Sequence, residues 1–162
     1  NVSEGESRNV LVEAARICRG QIRDVAELDA ADYDALLVPG GFGAAKNLCD
    51  FAIKGAECQI QPDVLKACQS FANANKPAAY ICIAPAMIPL IYGAGTLATI
   101  GHDEGTANAM EAMGGSHLNC PVNEFVVDQE RKVISTPAYM LAQNIVEAAD
   151  GIEKTVKQLL AL

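Results

Sequence analysis

Tryptophan is absent from the 162 residues, and aromatic residues of all kinds make up 5%. A core must therefore be assembled from alanine, valine, isoleucine and leucine, which bring helices close to a sheet. Basic residues are also few: 12 Lys and Arg stand against 20 Asp and Glu, for a formal net charge of −8. With the Lys and Arg residues dispersed, no basic face is available to neutralise phosphates, and a nucleic-acid partner is excluded. No run approaches the roughly 20 apolar residues of a membrane span. The longest, from Pro77 to Ile91, is broken by Pro85 and Pro89, so no membrane partner is expected. The six cysteines form neither a CxxC pair nor a Cys/His cluster. That excludes a zinc site, leaves no metal ligands to name, and places reduced thiols in a reducing compartment: cytoplasmic, or mitochondrial in a eukaryote.

With 51% hydrophobic residues and this length, the chain matches one globular domain over residues 1–162. It opens on Asn1 rather than methionine, and the polar stretch to Ser7 reads as a loop entered from a segment upstream, so the domain is expected to be N-terminally incomplete. Val10, Ala14, Ile17 and Cys18 recur at helical spacing over 9–19, with Ser7 as cap and Gly20 as stop. Ile22 to Val25 reads as a short strand. Tyr33 to Val38 is an apolar run ending at Pro39-Gly40-Gly41, the signature of a buried parallel strand. A short helix restarts at Ala44.

Gln61 to Asn75 is the clearest helix of the first half, with Pro62 in its first turn and Val64, Leu65, Cys68, Phe71 and Ala72 on one stripe. A second buried strand covers 78–83, a helix 84–91, a third strand 97–100, and a helix 104–113 closed by Gly114-Gly115. Phe125–Val127 and Val133–Ser135 read as a hairpin around a polar turn. The last helix carries Leu141, Ile145, Ala148, Ile152, Val156 and Leu159 on one stripe. Strands alternating with helices predict an α/β fold with a mainly parallel sheet covered on both faces.

In such a sheet the ligand site lies beyond the carboxyl ends of the strands. Two of those ends are unusual. After Val38 comes Pro39-Gly40-Gly41-Phe42-Gly43, where glycines free the backbone to turn tightly and present N–H groups. After Ile81 comes Cys82-Ile83-Ala84-Pro85, where strand turns at once into helix. A cysteine at that corner stands out of the sheet near the positive end of the helix, a field that favours thiolate. The N–H groups of Gly40, Gly41, Gly43 and Ile83 are then candidate donors to an oxyanion formed when sulfur attacks a carbonyl. The glycine spacing is neither GxGxxG nor a Walker loop, so no nucleotide or other cofactor is expected. His102, just past the third strand, is the one histidine near a strand end and the candidate general base; Glu13 and Glu104 are acidic candidates of lower rank. His117 is read as structural. Cys18 and Cys68 are assigned to the core, Cys49 and Cys58 to a partly exposed loop, Cys120 to a turn and Lys46 to the surface.

Three stretches resemble one family. Val38-Pro-Gly-Gly-Phe-Gly-Ala-Ala-Lys-Asn-Leu48, Cys82-Ile-Ala-Pro-Ala-Met87 and Thr136-Pro-Ala-Tyr-Met-Leu-Ala-Gln-Asn-Ile145, with Arg8 to Ile17 beside them, are similar to the ElbB ("enhancing lycopene biosynthesis" or "sigma cross-reacting") proteins. These belong to the PfpI/ThiJ superfamily with a class I glutamine-amidotransferase-like domain. The resemblance implies a three-layer flavodoxin-like sandwich, a homodimer, and Cys82 at a nucleophile elbow. It also implies an N-terminal strand and helix, including an acidic partner of the cysteine, that nothing in this sequence matches. Glutaminases of this fold carry histidine and glutamate after a late strand, where this chain has Thr136-Pro137-Ala138-Tyr139; protease-like relatives follow the cysteine with histidine, where this chain has Ile83. Neither activity is expected. The resemblance leaves glyoxalase-type conversion of small reactive dicarbonyls through a hemithioacetal on Cys82, or a non-catalytic role in redox sensing or in support of isoprenoid biosynthesis.

Overall fold

The computed structural model describes residues 5–162; the loop reading of residues 1–4 lies outside them. Helix α1 (Val10–Ala15) is capped by Asn9, whose side chain accepts the Val12 N–H at 3.1 Å. Asn9, not Ser7, is the cap, and the helix ends four residues before Arg19. The strand expected at Ile22–Val25 does not form. Asp24 instead accepts the Ala26 N–H at 3.0 Å and caps a 3-10 turn over Val25–Glu27; a carboxylate two residues from its donor favours the turn.

Strand β1 (Leu36–Val38) leads through a π-helical turn (Ala44–Leu48) into the short α2 (Phe51–Lys54). Helix α3 (Pro62–Asn73) begins on Gln61, which accepts the Val64 N–H at 2.8 Å, with Pro62 in the first turn where its missing donor costs nothing. Strand β2 (Ala78–Ile81) is followed by a 3-10 segment (Ala84–Met87) and α4 (Ile88–Tyr92). Then come β3 (Leu97–Ala98), α5 (Glu104–Ala112), β4 (Ser116–His117), the hairpin of β5 (Val126–Asp128) and β6 (Val133–Thr136), and α6 (Ile145–Leu159).

The main sheet runs β1-β2-β6-β5, with β1, β2 and β6 parallel and β5 antiparallel to β6. The mainly parallel α/β arrangement is thus as the alternation of elements predicts. Alternate residues of β2 serve opposite faces. Ala78 and Tyr80 pack with Val64, Cys68, Ile88 and Ile91 of α3 and α4, whereas Ala79 packs with Ile134 and Leu159 of α6. Burial on both faces is why the strand reads as an unbroken apolar run.

Strand β3 does not join this ladder but pairs with β4. Side chains tie it to the main sheet: the Leu97 N–H donates to Asp128 Oδ2 at 3.0 Å and the Thr99 N–H to Ser135 Oγ at 2.8 Å. In α6 the buried positions are Ala148, Gly151, Thr155 and Leu159, while Ile145 is exposed. A Cβ on Gly151 would lie 2.3 Å from the Val122 carbonyl oxygen, so close approach, not hydrophobicity, sets the buried stripe. Helix α1 buries none of its residues.

Candidate active site

The parallel register places Val38 beside Tyr80 and Ile81 beside Thr136. Three chain segments therefore leave the sheet side by side: Pro39-Gly40-Gly41, Cys82-Ile83 and Pro137-Ala138. The Cys82 N–H makes the last bond of the ladder, to the Thr136 carbonyl at 2.9 Å. Immediately there the backbone of Cys82 turns to φ +64°, a left-handed conformation that costs a non-glycine residue roughly 1–2 kcal/mol. The chain then enters the 3-10 segment at Ala84. The sulfur-bearing carbon is thus lifted off the sheet at its carboxyl edge, and Cys82 is half-buried.

Gly40 is pressed against this corner. A Cβ built on it would lie 2.3 Å from the Ile81 carbonyl oxygen and 3.2 Å from Cys82 Cβ, and its φ is +82°. Only glycine satisfies both conditions. Gly41 also has φ +84°, but open space surrounds it. Gly43 sits at φ −59°, in ordinary helical backbone, so the third glycine is not required by conformation. Among the described residues the N–H groups of Gly40, Gly41, Gly43 and Ile83 donate no hydrogen bond. At the loop rim Phe42 is exposed, and Lys46 Nζ lies 5.6 Å from the centre of its ring, a cation–π distance.

The fold that carries this corner is shared. The chain is 33% identical to, and superposes with a TM-score of 0.88 on, the crystal structure of an isoprenoid biosynthesis protein with amidotransferase-like domain from Ehrlichia chaffeensis, covering 99% of this chain and 73% of that one. The chain belongs to the ElbB family. It is also 44% identical over 169 residues to the human glutamine amidotransferase-like class 1 domain-containing protein 3, mitochondrial, and 43% identical to the rat ES1 protein homolog, mitochondrial. Each match takes in 99% of this chain but 63% of the relative, so the chain spans less than two thirds of their length. No family model matches it. A glyoxalase III from Candida albicans shares the fold at 14% identity and a TM-score of 0.55.

In this ElbB-family chain no hydrogen bond among the described residues joins the other sequence candidates to the cysteine. His102 is exposed, two residues past Ile100, and among the described residues no hydrogen bond joins it to Cys82 or to the glycine loop. Its neighbour Asp103 caps α5 through the Thr106 N–H at 2.8 Å; hydrogen bonding from the Thr106 side chain, then from its N–H, and less so the nearby His102, holds its carboxyl below the usual value. Glu13 pairs with Arg16 at 3.0 Å on α1, and Glu104 stands exposed in the first turn of α5. His117 is structural: its Nε2 accepts the Ile100 N–H at 3.3 Å, and burial lowers its pKa, which keeps that nitrogen free to accept.

The remaining thiols divide differently from expectation. Cys18 is exposed rather than core, just past a helix that buries none of its residues, and Cys49 and Cys58 are buried rather than partly exposed. The bridge between Cys49 and Ile60 folds their segment back on itself. Burial raises the thiols of Cys49 and Cys68, and pushes those of Cys58 and Cys120 up to about 11. Among the described residues no group of three or more His, Cys, Asp or Glu is placed to hold a metal.

Two contributors were not foreseen. Thr136, fully buried, fixes the ladder end beside Cys82 while its Oγ1 donates to the Glu124 carbonyl at 2.8 Å. Ala138, also buried, adopts φ +43° where the chain leaves β6. Position in the Thr136-Pro137-Ala138 turn was their only signal, since a proline straight after a strand forces a turn. Cys82 and Ala138 thus put two left-handed non-glycine residues at neighbouring strand ends of this edge.

Proposed function

We propose that this ElbB-family chain is the Cys82-bearing part of a cofactor-free enzyme that converts small α-oxo-aldehydes to 2-hydroxy acids. The single observation behind this reading is the contact between Gly40 and the strained Cys82 corner, with unspent N–H groups on both segments. The Cys82 thiolate adds to the aldehyde carbon, and the oxyanion that forms takes up hydrogen bonds from Gly40, Gly41, Gly43 or Ile83 before protonation gives a hemithioacetal. A base removes the hydrogen of that carbon and a proton returns to the neighbouring carbonyl carbon, leaving a thioester. Water then hydrolyses the thioester, releasing the hydroxy acid and the thiol. No electrons enter or leave, so no redox partner is needed. His102 is the candidate base in this scheme, acting once substrate is bound.

Turnover of methylglyoxal to lactate, with Cys82→Ala as control, tests the proposal. The expected result is loss of at least about 1000-fold in rate in the variant. Equal rates in the two proteins would remove the enzyme reading. His102→Gln is expected to lower kcat by about 100-fold, the usual worth of a general base.

The second reading, a redox-responsive accessory protein, draws on a different observation: no titratable side chain hydrogen-bonds Cys82 among the described residues. Stoichiometric oxidation of Cys82 to sulfinic acid by peroxide, without any carbonyl turnover, would favour it. We further propose a mitochondrial location, on the strength of the mitochondrial relatives.

A further inference from the structure

Three sulfur-bearing residues gather in the segment that folds back on itself. Cys49 and Ile60 face each other across an antiparallel bridge, flanked by bonds from the Asp50 N–H to the Gln59 carbonyl at 3.2 Å and from the Gln61 N–H to the Leu48 carbonyl at 2.9 Å. Side chains alternate along an extended strand, so Cys58 shares the inward side with Ile60, while Gln59 between them is exposed. That register sets Cys58 diagonally opposite Cys49, at roughly 7–8 Å along the pair. Met113, the C-cap of α5, comes from the other side, where the turn Gly55–Glu57 packs on that helix. Its sulfur lies 3.7 Å from that of Cys58, a contact made across 55 residues of sequence.

Spacing and charge select one kind of ligand. A sulfur bound to a metal stands about 2.3 Å from it, so two such sulfurs at tetrahedral or trigonal angles are roughly 3.8–4.0 Å apart. The Cys58–Met113 pair is already close to that separation. Thiol and thioether together are soft donors, which favour Cu(I) over harder ions. Burial points the same way: Cys49 and Cys58 are 5% and 6% exposed, and the neighbouring carboxylate of Asp50 is taken by Lys54 at 2.6 Å and by the Gln59 N–H at 2.6 Å. One thiolate cancels one positive charge, whereas a divalent ion would leave a net charge in a buried place. Cys49 keeps its proton, which it donates to the Ala44 carbonyl at 3.5 Å, and so adds a neutral sulfur.

We propose that Cys58 and Met113, with Cys49 beside them, form a binding site for a soft monovalent cation, Cu(I). On binding, the Cys58 S–H bond breaks, a sulfur–copper bond forms and the proton passes to solvent. Copper arrives as Cu(I), so no electron moves. The site stands independently of the chemistry at Cys82. Anaerobic titration of the 162-residue chain with Cu(I), in competition with bicinchoninate, tests it. Cys18→Ala and Cys82→Ala are introduced first, because those thiols are exposed and half-buried and bind copper on their own. One equivalent is expected to bind, with sulfur neighbours in the X-ray absorption spectrum. Adding Met113→Leu, a volume-conserving swap that keeps the packing, should weaken binding about 10-fold, and Cys58→Ser at least about 100-fold. Cys120→Ala is the control: that thiol is 5% exposed, but its sulfur meets the Pro121 carbonyl at 3.5 Å, and its loss should leave the affinity unchanged. No copper held against bicinchoninate, an affinity indifferent to Met113→Leu, or an equal loss in Cys120→Ala would each overturn the proposal.

Discussion

Cys82 and Cys58 present the same side chain in two opposite settings. Cys58 is 6% exposed, its sulfur 3.7 Å from that of Met113, and burial pushes its thiol up to about 11. Such a sulfur is a small hydrophobe held in its protonated form. Cys82 sits where β2 ends, half-buried, with its backbone forced to φ +64° and a glycine pressed against it. What separates them is not the residue but the element that carries it. A closed segment packs the thiol away, whereas an abrupt end of a strand holds it out. The reactive thiol is therefore to be sought at the strained corner after β2, not in the number of cysteines.

The contrast breaks most completely at Gly40. Alanine there must adopt a left-handed backbone and also displace the Ile81 carbonyl, 2.3 Å from the new Cβ. A destabilisation of roughly 2–5 kcal/mol is expected, and Cys82 alkylation by iodoacetamide should change with it. Gly41→Ala is the matched control, because Gly41 has a similar φ, +84°, and nothing within 4 Å. It should cost only the conformational part, about 1–2 kcal/mol, measured by urea unfolding. Equal losses in the two variants would mean that the contact with the Cys82 corner carries no energy.

Alkaline pH sharpens the comparison from the buried side. In the folded chain Cys58 and Cys120 hold their protons to about 11, against an ordinary value of 9.0. Between those values the folded state binds protons that the unfolded state has released, so stability must fall as pH rises from 9 towards 11. Below 9 these two thiols contribute no pH dependence. The urea midpoint of the wild type is expected to drop across that window, and Cys58→Ala should make the drop shallower. A midpoint that stays flat to pH 11 would show that the buried thiols ionise as freely as exposed ones.

Much of this contrast is legible in the sequence, for a physical reason. Val38 and Ile81 end apolar runs of parallel strands, and parallel strands expose their carboxyl ends on one edge, so the glycine loop and Cys82 had to emerge as neighbours. The sign of φ at Cys82 and the lack of room for a Cβ on Gly40 are tertiary facts, set by the register between β1 and β2. The misses have the same origin. Val10, Ala14 and Ile17 do recur at helical spacing, but periodicity says which residues share a face and not whether anything packs against it. In α6 the hydrophobic stripe led to Ile145, which is 74% exposed, because the Val122 carbonyl selects the smallest residue, Gly151, for the point of closest approach.

The smallest expected effect lies deepest in the buried region, near Cys68. The rings of Tyr80 and Tyr92 meet edge-on at 6.0 Å and 90°, and neither hydroxyl, though buried, has a hydrogen-bond partner among the described residues. Burial raises both phenols, that of Tyr92 to about 12. A buried hydroxyl without a partner carries a desolvation cost of roughly 1–3 kcal/mol that its removal relieves, while the ring keeps its packing. Tyr92→Phe is therefore expected to leave stability unchanged or raise it by about 1 kcal/mol, and to leave the alkylation rate of Cys82 as it was. Urea unfolding reads the first and thiol labelling the second. A loss of more than about 1 kcal/mol would mean that the hydroxyl is paired in solution. A change at Cys82 would mean that the two settings are coupled through β2, where Tyr80 stands two residues before the cysteine.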